Sequence, residues 1–213
     1  MKNIYLLFII MVITTLTFAQ KQNEVRGSMG IDFISSPSLT DYVEYYTGPL
    51  STFNSAVNFS GAYGRMISPN DQLEVELGYL LNSYNSSSTD GTYDLSYSII
   101  MPSLIYYYVL NGAGYYFKFG AGAGARFLSV TEKLPGYPND NNYSSLGYGF
   151  IVRVAGNTAI SKDVYAYIAA DVRYDINGEP DNNGNKLYNY TYNENVNFNS
   201  LSLGVRLGLS YQF

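Results

Sequence analysis

From Ser200 to Phe213 the chain alternates without a break. Every odd position is apolar (Leu201, Leu203, Val205, Leu207, Leu209, Tyr211, Phe213), and every even one is polar or glycine (Ser200, Ser202, Gly204, Arg206, Gly208, Ser210, Gln212). Successive side chains point to opposite faces in an extended strand, so this run predicts a long strand with one apolar and one polar face. Leu73, Val75, Leu77, Tyr79 and Leu81 alternate in the same way with Gln72, Glu74, Glu76 and Gly78, Leu80 being the one apolar residue on the polar side. Tyr115, Phe117, Phe119, Ala121, Ala123, Ala125 and Phe127 alternate with Tyr116, Lys118, Gly120, Gly122, Gly124 and Arg126. Segments 25–33, 57–66, 95–109, 146–155 and 164–174 complete a set of eight predicted strands.

The connections alternate in length. Short segments rich in turn formers follow the second, fourth and sixth strands, at 68–71, 111–114 and 161–163. Long ones follow the first, third, fifth and seventh, near 35–54, 83–93, 129–145 and 175–196. An even number of strands strung in this way predicts an all-β fold, an eight-stranded antiparallel up-and-down transmembrane β-barrel with its short turns in the periplasm.

Charge placement tests the prediction independently, because Lys or Arg facing lipid at mid-membrane costs about 2–4 kcal/mol. With the apolar parity taken as outward, Arg26, Asp32, Glu74, Glu76, Lys118, Arg126, Arg153, Asp171, Arg173 and Arg206 all point inward. Arg65 falls on the outer parity, beside the first short turn, where its long side chain reaches the headgroups. Pro102 sits mid-strand, where a proline belongs at a bulge, so a bulge is expected near residues 101–103.

Residues 1–19 read as a secretory signal peptide: Lys2 supplies the positive start, 4–18 the apolar run, and Ala19 the small residue at the cleavage site. Residues 20–213 then form the barrel domain. Beyond that run no stretch approaches the 18 consecutive apolar residues that suggest a membrane helix.

These features resemble the bacterial outer-membrane β-barrel family, the eight-stranded OmpX, OmpA-barrel and PorT-like group. The resemblance covers the whole mature chain and rests on four stretches: Phe18-Ala-Gln20 at the signal end, Ile100-Met-Pro-Ser-Leu-Ile-Tyr-Tyr-Tyr108, Tyr115-Tyr-Phe-Lys-Phe-Gly-Ala-Gly-Ala-Gly-Ala-Arg126 and the terminal Tyr211-Gln-Phe213. It implies residence in the outer membrane, with lipid and lipopolysaccharide as surroundings. It also implies that the closing aromatics Tyr211 and Phe213 are the signal read by the barrel-assembly machinery. The scaffold carries many functions, so it implies no particular task.

Composition narrows the chemistry. The chain has no histidine and no cysteine, which excludes Ser-His and Cys-His nucleophile pairs and the usual zinc ligand sets. The barrel enzymes of the outer membrane that the family suggests as rivals need a histidine, so no catalytic residue, cofactor or metal is expected. A net charge of -5 argues against a nucleic-acid partner, whose phosphates are bound by Lys and Arg.

The inward charges are expected to pair across a polar core just filled by side chains, with Glu74 and Glu76 meeting Arg and Lys. Inward Gly78, Gly120, Gly122, Gly124, Gly147, Gly149, Gly204 and Gly208 relieve crowding there. The long connections carry Asp41, Glu44, Asp90, Asp94, Glu132, Asp140, Asp175, Glu179, Asp181 and Glu194 against Lys133 and Lys186. The oxygen-rich stretch 175–185 lacks the glycine and glutamate spacing of an EF-hand and reads as a solvated turn.

Two tyrosine clusters, Tyr42, Tyr45 and Tyr46, and the alternating Tyr188, Tyr190 and Tyr192, are candidates for binding an extracellular protein or glycan, the second on a strand that protrudes from the membrane. The expectation is a monomeric barrel with a sealed lumen acting through its loops. A narrow channel through the ionic lumen is the alternative. A secreted, lipocalin-like carrier would need helices to cover the outward faces, and no amphipathic helix is visible in the sequence.

Overall fold

A computed structural model describes residues 22–49, 54–88, 91–137 and 139–213; the predicted signal segment and Asp90 lie outside the described residues. Eight long strands carry the fold: β1 (Asn23–Ser35), β2 (Asn54–Ser68), β3 (Asp71–Ser88), β4 (Gly91–Gly112), β5 (Tyr115–Lys133), β6 (Asn141–Ala159), β7 (Val164–Ile176) and β8 (Ser200–Gln212). Each pairs antiparallel with the next, and β1 pairs with β8, so the sheet closes into a barrel. Followed around the wall, one row of paired residues leaves β1 at Asn23 and passes Arg65, Leu73, Tyr106, Ala121, Val152, Val172 and Leu203. It returns to β1 at Phe33, ten residues further on. A stagger of that kind requires tilted strands, and closure leaves no edge within the membrane.

Strand lengths divide the wall into two sectors. β3 to β6 run for 18, 22, 19 and 19 residues, whereas β1, β2, β7 and β8 have 13, 15, 13 and 13. At one end consecutive strands are joined by short connections at 69–70, 113–114 and 160–163, so the extra length of β3 to β6 extends the opposite end as a tall sheet. Segments predicted as long loops at 83–93 and 129–145 are therefore largely strand.

The segment between β1 and β2 holds a helix that the sequence reading misses, α1 (Pro37–Thr47). Pro37 sits in its first turn, where a missing N–H costs nothing, and Gly48 ends it at φ 79° with its N–H bonded to the Glu44 carbonyl. Leu39, Tyr42 and Val43 form the buried stripe. The helix packs inside the tall sheet, so it leaves the outward apolar face of the barrel uncovered. Between β7 and β8 two short hairpins, Asp181–Asn182 with Asn185–Lys186 and Tyr188–Asn189 with Glu194–Asn195, fold over the same opening.

Pro102 makes no bulge. The β4–β5 register is the same on either side of it, and the ladder omits pairs at Met101 and Pro102. Losing one donor interrupts two pairs without inserting a residue, and the β3 side of the strand pairs through Pro102 unbroken.

Candidate functional site

Outward side chains in the lower part of the wall are apolar and exposed, among them Met29, Leu77, Leu104, Phe119, Val152, Ile168 and Leu207. Inward ones include a large set of charges beside an apolar cluster of Ile105, Tyr107, Val109, Tyr116 and Ile151. All ten charges predicted to face inward are buried there, joined by Glu24 and Asp175. The Arg and Lys side chains are Arg26, Lys118, Arg126, Arg153, Arg173 and Arg206. Opposing them are Glu24, Asp32, Glu74, Glu76, Asp171 and Asp175, so six positive charges meet six negative ones.

They form one connected network along the lumen. At the end of the short turns Lys118 Nζ bonds Glu24 Oε1 at 2.8 Å and Gln72 Oε1 at 3.0 Å. Arg26 bonds both Glu74 oxygens at 2.9 and 2.7 Å and reaches Glu76 at 2.8 Å. Arg153 grips Glu76 at 2.5 and 2.9 Å and Asp171 at 3.2 Å, and Arg206 Nε bonds Asp171 at 2.5 Å. Asn58 links Arg206 to Asp32, which meets Arg173 at 3.2 Å. Asp175 then joins Arg173 at 2.7 Å to Arg126 at 2.5 Å. Arg26 lies 4.4 Å over the Tyr167 ring, and Lys118 lies 5.2 Å from that of Tyr107. Buried charges need such ion-pair partners, because one left alone costs several kcal/mol.

Glycines supply the space. A Cβ on Gly149 would overlap Asp175 Oδ1, and one on Gly204 would overlap Asp32 Oδ1. A cavity of about 850 Å³ below Lys118, lined by Glu24, Gln72, Asn111 and Tyr116, opens at the end of the short turns. Arg65 lines its rim.

Above the network the inner surface turns apolar. Ile34, Leu80, Tyr84, Tyr93, Leu95, Tyr97, Ile99, Met101, Leu128 and Val130 from the wall enclose Leu39, Tyr42 and Val43 of α1, with Leu187, Val196 and Phe198 from the last loop. Outward positions at this height are polar: Ser83 and Asn85 on β3, Ser96 and Ser98 on β4, Ser129 and Thr131 on β5. Leu80, the exception in its strand's alternation, belongs to this extracellular core.

Two acids predicted for the loops point inward instead. Asp175 belongs to the ionic network, and Glu132 is 1% exposed within the extracellular core. Tyr42 Oη donates to Glu132 Oε1 at 2.6 Å, and Tyr93 Oη donates to the same oxygen at 3.2 Å. Both acids, like Glu24, lie on the inward parity of strands longer than the sequence reading allowed. Glu179 bonds Lys186 at 2.6 Å, and among the described residues no group of three or more acids gathers as a metal site would require.

The tyrosine candidates divide. Tyr42 is 7% exposed, and Tyr46 stacks on Tyr93 with ring centroids 4.3 Å apart. Tyr45, Tyr190 and Tyr192 are 74%, 87% and 60% exposed. Tyr188 packs edge-on against Tyr190, and this segment is a short hairpin rather than a protruding strand. Tyr211 and Phe213 face outward, stacked at 5.9 Å, and the backbones of Phe213 and Asn23 bond reciprocally.

No protein-family model matches the chain, and no curated protein matches it. Solved structures do. A major outer membrane protein from Thermus thermophilus is similar at TM-score 0.52 and 16% identity over 90% of this chain and 99% of that one. Neisserial surface protein A is similar at TM-score 0.51 and 16% identity, over 90% and 97%. Ail, the attachment invasion locus protein of Yersinia pestis, solved in complex with the heparin analogue sucrose octasulfate, is similar at TM-score 0.50 and 12% identity, over 90% and 99%. The fold is that of these outer-membrane barrels.

Proposed function

We propose that this chain, with the fold of eight-stranded outer-membrane barrels, is a non-enzymatic surface protein of the outer membrane whose working part is its extracellular cap. The observation that carries the reading is the exposure of Tyr45, Tyr190 and Tyr192 on a packed cap above a lumen filled by paired charges. Tyrosine offers a wide amphipathic contact at small entropic cost, and here it sits on ordered elements. Ail, named for attachment, lends the reading an analogy. The ligand chemistry differs, however. Exposed or half-exposed acids around the opening (Asp41, Glu44, Asp94, Asp140, Glu179, Asp181, Glu194) outnumber Lys133 and Lys186, which disfavours a sulfated polyanion and favours a neutral or basic protein or glycan.

The test displays the native barrel and a variant with Tyr45, Tyr190 and Tyr192 replaced by Ser on cells, then measures their capture by arrays of immobilised glycans and extracellular proteins. Loss of capture with the barrel still folded supports the reading; equal capture contradicts it. Export by a signal peptide in 1–19 and recognition of Tyr211 and Phe213 by the assembly machinery complete the proposal.

The periplasmic cavity favours a second reading, a narrow channel in which the ion pairs form the barrier. Planar-bilayer recordings that stay silent after neutralising Glu74 and Glu76 together would reject it.

A further inference from the structure

Glu132 stands apart from every other buried acid of the barrel. The six acids of the lumen each face Arg or Lys, whereas Glu132, among the described residues, makes no ion pair. Its carboxylate is bound by two phenols, Tyr42 of α1 and Tyr93 of β4. Tyr42 holds α1 in the core beside Leu39 and Val43. Tyr46 of α1, stacked on Tyr93, and Tyr143 of β6 close the site, and Tyr190 of the hairpin approaches Tyr46. Asp94, the next residue along β4, adds a further acid near Tyr93. Lys133 lies on the opposite, exposed face of β5.

The position is outside the membrane. Phe127 is the last apolar residue on the outward face of β5, and Ser129, Thr131 and Lys133 follow it. Water therefore surrounds the tall sheet at this height, and proton exchange with the medium needs only local opening of the cap.

We propose that Glu132 is a pH-sensitive latch that sets how firmly α1 closes over the extracellular core, docking being tighter in acid. Burial pushes the Glu132 carboxyl above its ordinary range, and the hydrogen bonds from Tyr42 and Tyr93 offset only part of that rise. Tyr42 is itself pushed far up by burial and by the neighbouring carboxylate, so it stays a donor throughout. The sign follows from linkage. A carboxyl whose docked value exceeds its undocked one binds its proton better when docked, so docking is strongest below the undocked value and weakens as pH rises through the docked one. The device does not depend on which ligand the cap binds.

The native chain has no cysteine, which permits a clean probe. Leu39→Cys places a thiol at a fully buried position of α1, and Tyr45→Cys places one at an exposed position of the same helix. Each full-length variant is folded in detergent micelles and reacted with an impermeant maleimide from about pH 5 to about pH 9. Dividing the first rate by the second removes the pH dependence of the thiol. The ratio is expected to rise with pH by at most about tenfold per unit between the undocked and docked Glu132 values, to level off above the docked one, and to become flat in the Glu132→Gln background. Tyr42→Phe, which removes a donor to the carboxylate, is expected to move the rise to higher pH. A native ratio that does not change with pH, a rise that persists in Glu132→Gln, or a Tyr42→Phe variant that labels faster at every pH with no displacement of the rise would each overturn the latch.

Discussion

Along β4 the outward face changes polarity between the strand's two ends, whereas the inward face stays largely apolar from Val109 to Tyr93. From Leu110 to Ile100 the outward residues are apolar or aromatic, with Pro102 among them, while across the lumen at this level the paired charges converge. From Ser98 to Thr92 the outward residues are Ser98, Ser96, Asp94 and Thr92, and the inward ones are Ile99, Tyr97, Leu95 and Tyr93. The lower part is built inside out for lipid, the upper part as a water-soluble sheet with a helix on its inner face. A single strand serves both solvents because its outward face changes from apolar to polar at one step, between Ile100 and Ser98. The two halves consequently hold together by different means, paired charges with small apolar clusters below and a larger apolar core above.

The largest effect should come from breaking the lower half. Arg153→Met leaves Glu76 without its bidentate partner and Asp171 with Arg206 as its remaining close ion pair, and the expected loss is about 3–5 kcal/mol, read from urea unfolding in micelles. The boundary itself is tested by one charge placed at two heights on one face of β4. Leu104→Arg should cost about 3 kcal/mol of insertion stability, and Ser96→Arg no more than about 0.5 kcal/mol. Equal costs would remove the distinction between the halves. Leu95→Ala opens a void in the upper core and should cost about 2–3 kcal/mol, detected as faster hydrogen exchange over α1 while the lower strands stay protected. Gly149→Ala, which drives a methyl against Asp175 and Arg126, should cost about 1–2 kcal/mol and shift the heat-modifiable gel transition slightly.

Much of the lower half is legible in the sequence because lipid imposes a strict rule. Every outward residue there must be apolar, so parity alone places Arg26, Glu74 and Arg206 inside. The upper half obeys no such rule. Water tolerates Ser or Leu outside, and the helix that fills the opening offers only Leu39, Tyr42 and Val43 as an apolar stripe, among polar residues that read as a loop. The signal that was available is the parity itself. Continued two residues past Arg173 it puts Asp175 inside, and continued past Arg126 it puts Leu128, Val130 and Glu132 inside. The misplaced Leu80 was the first sign that the faces exchange. Among the tyrosines, sequence spacing could not separate buried Tyr42 from exposed Tyr45, because that depends on which face α1 turns toward the sheet.

The central claim is the change of the outward face along β4 from apolar to polar, and a cysteine scan of its outward positions from Thr92 to Leu110 measures it directly. Each single-cysteine barrel, inserted in vesicles, is reacted from outside with an impermeant maleimide. The account predicts ready labelling at residues 92, 94, 96 and 98 and protection from 100 to 108. Uniform labelling along the whole strand, or a boundary displaced to the middle of either run, would contradict it.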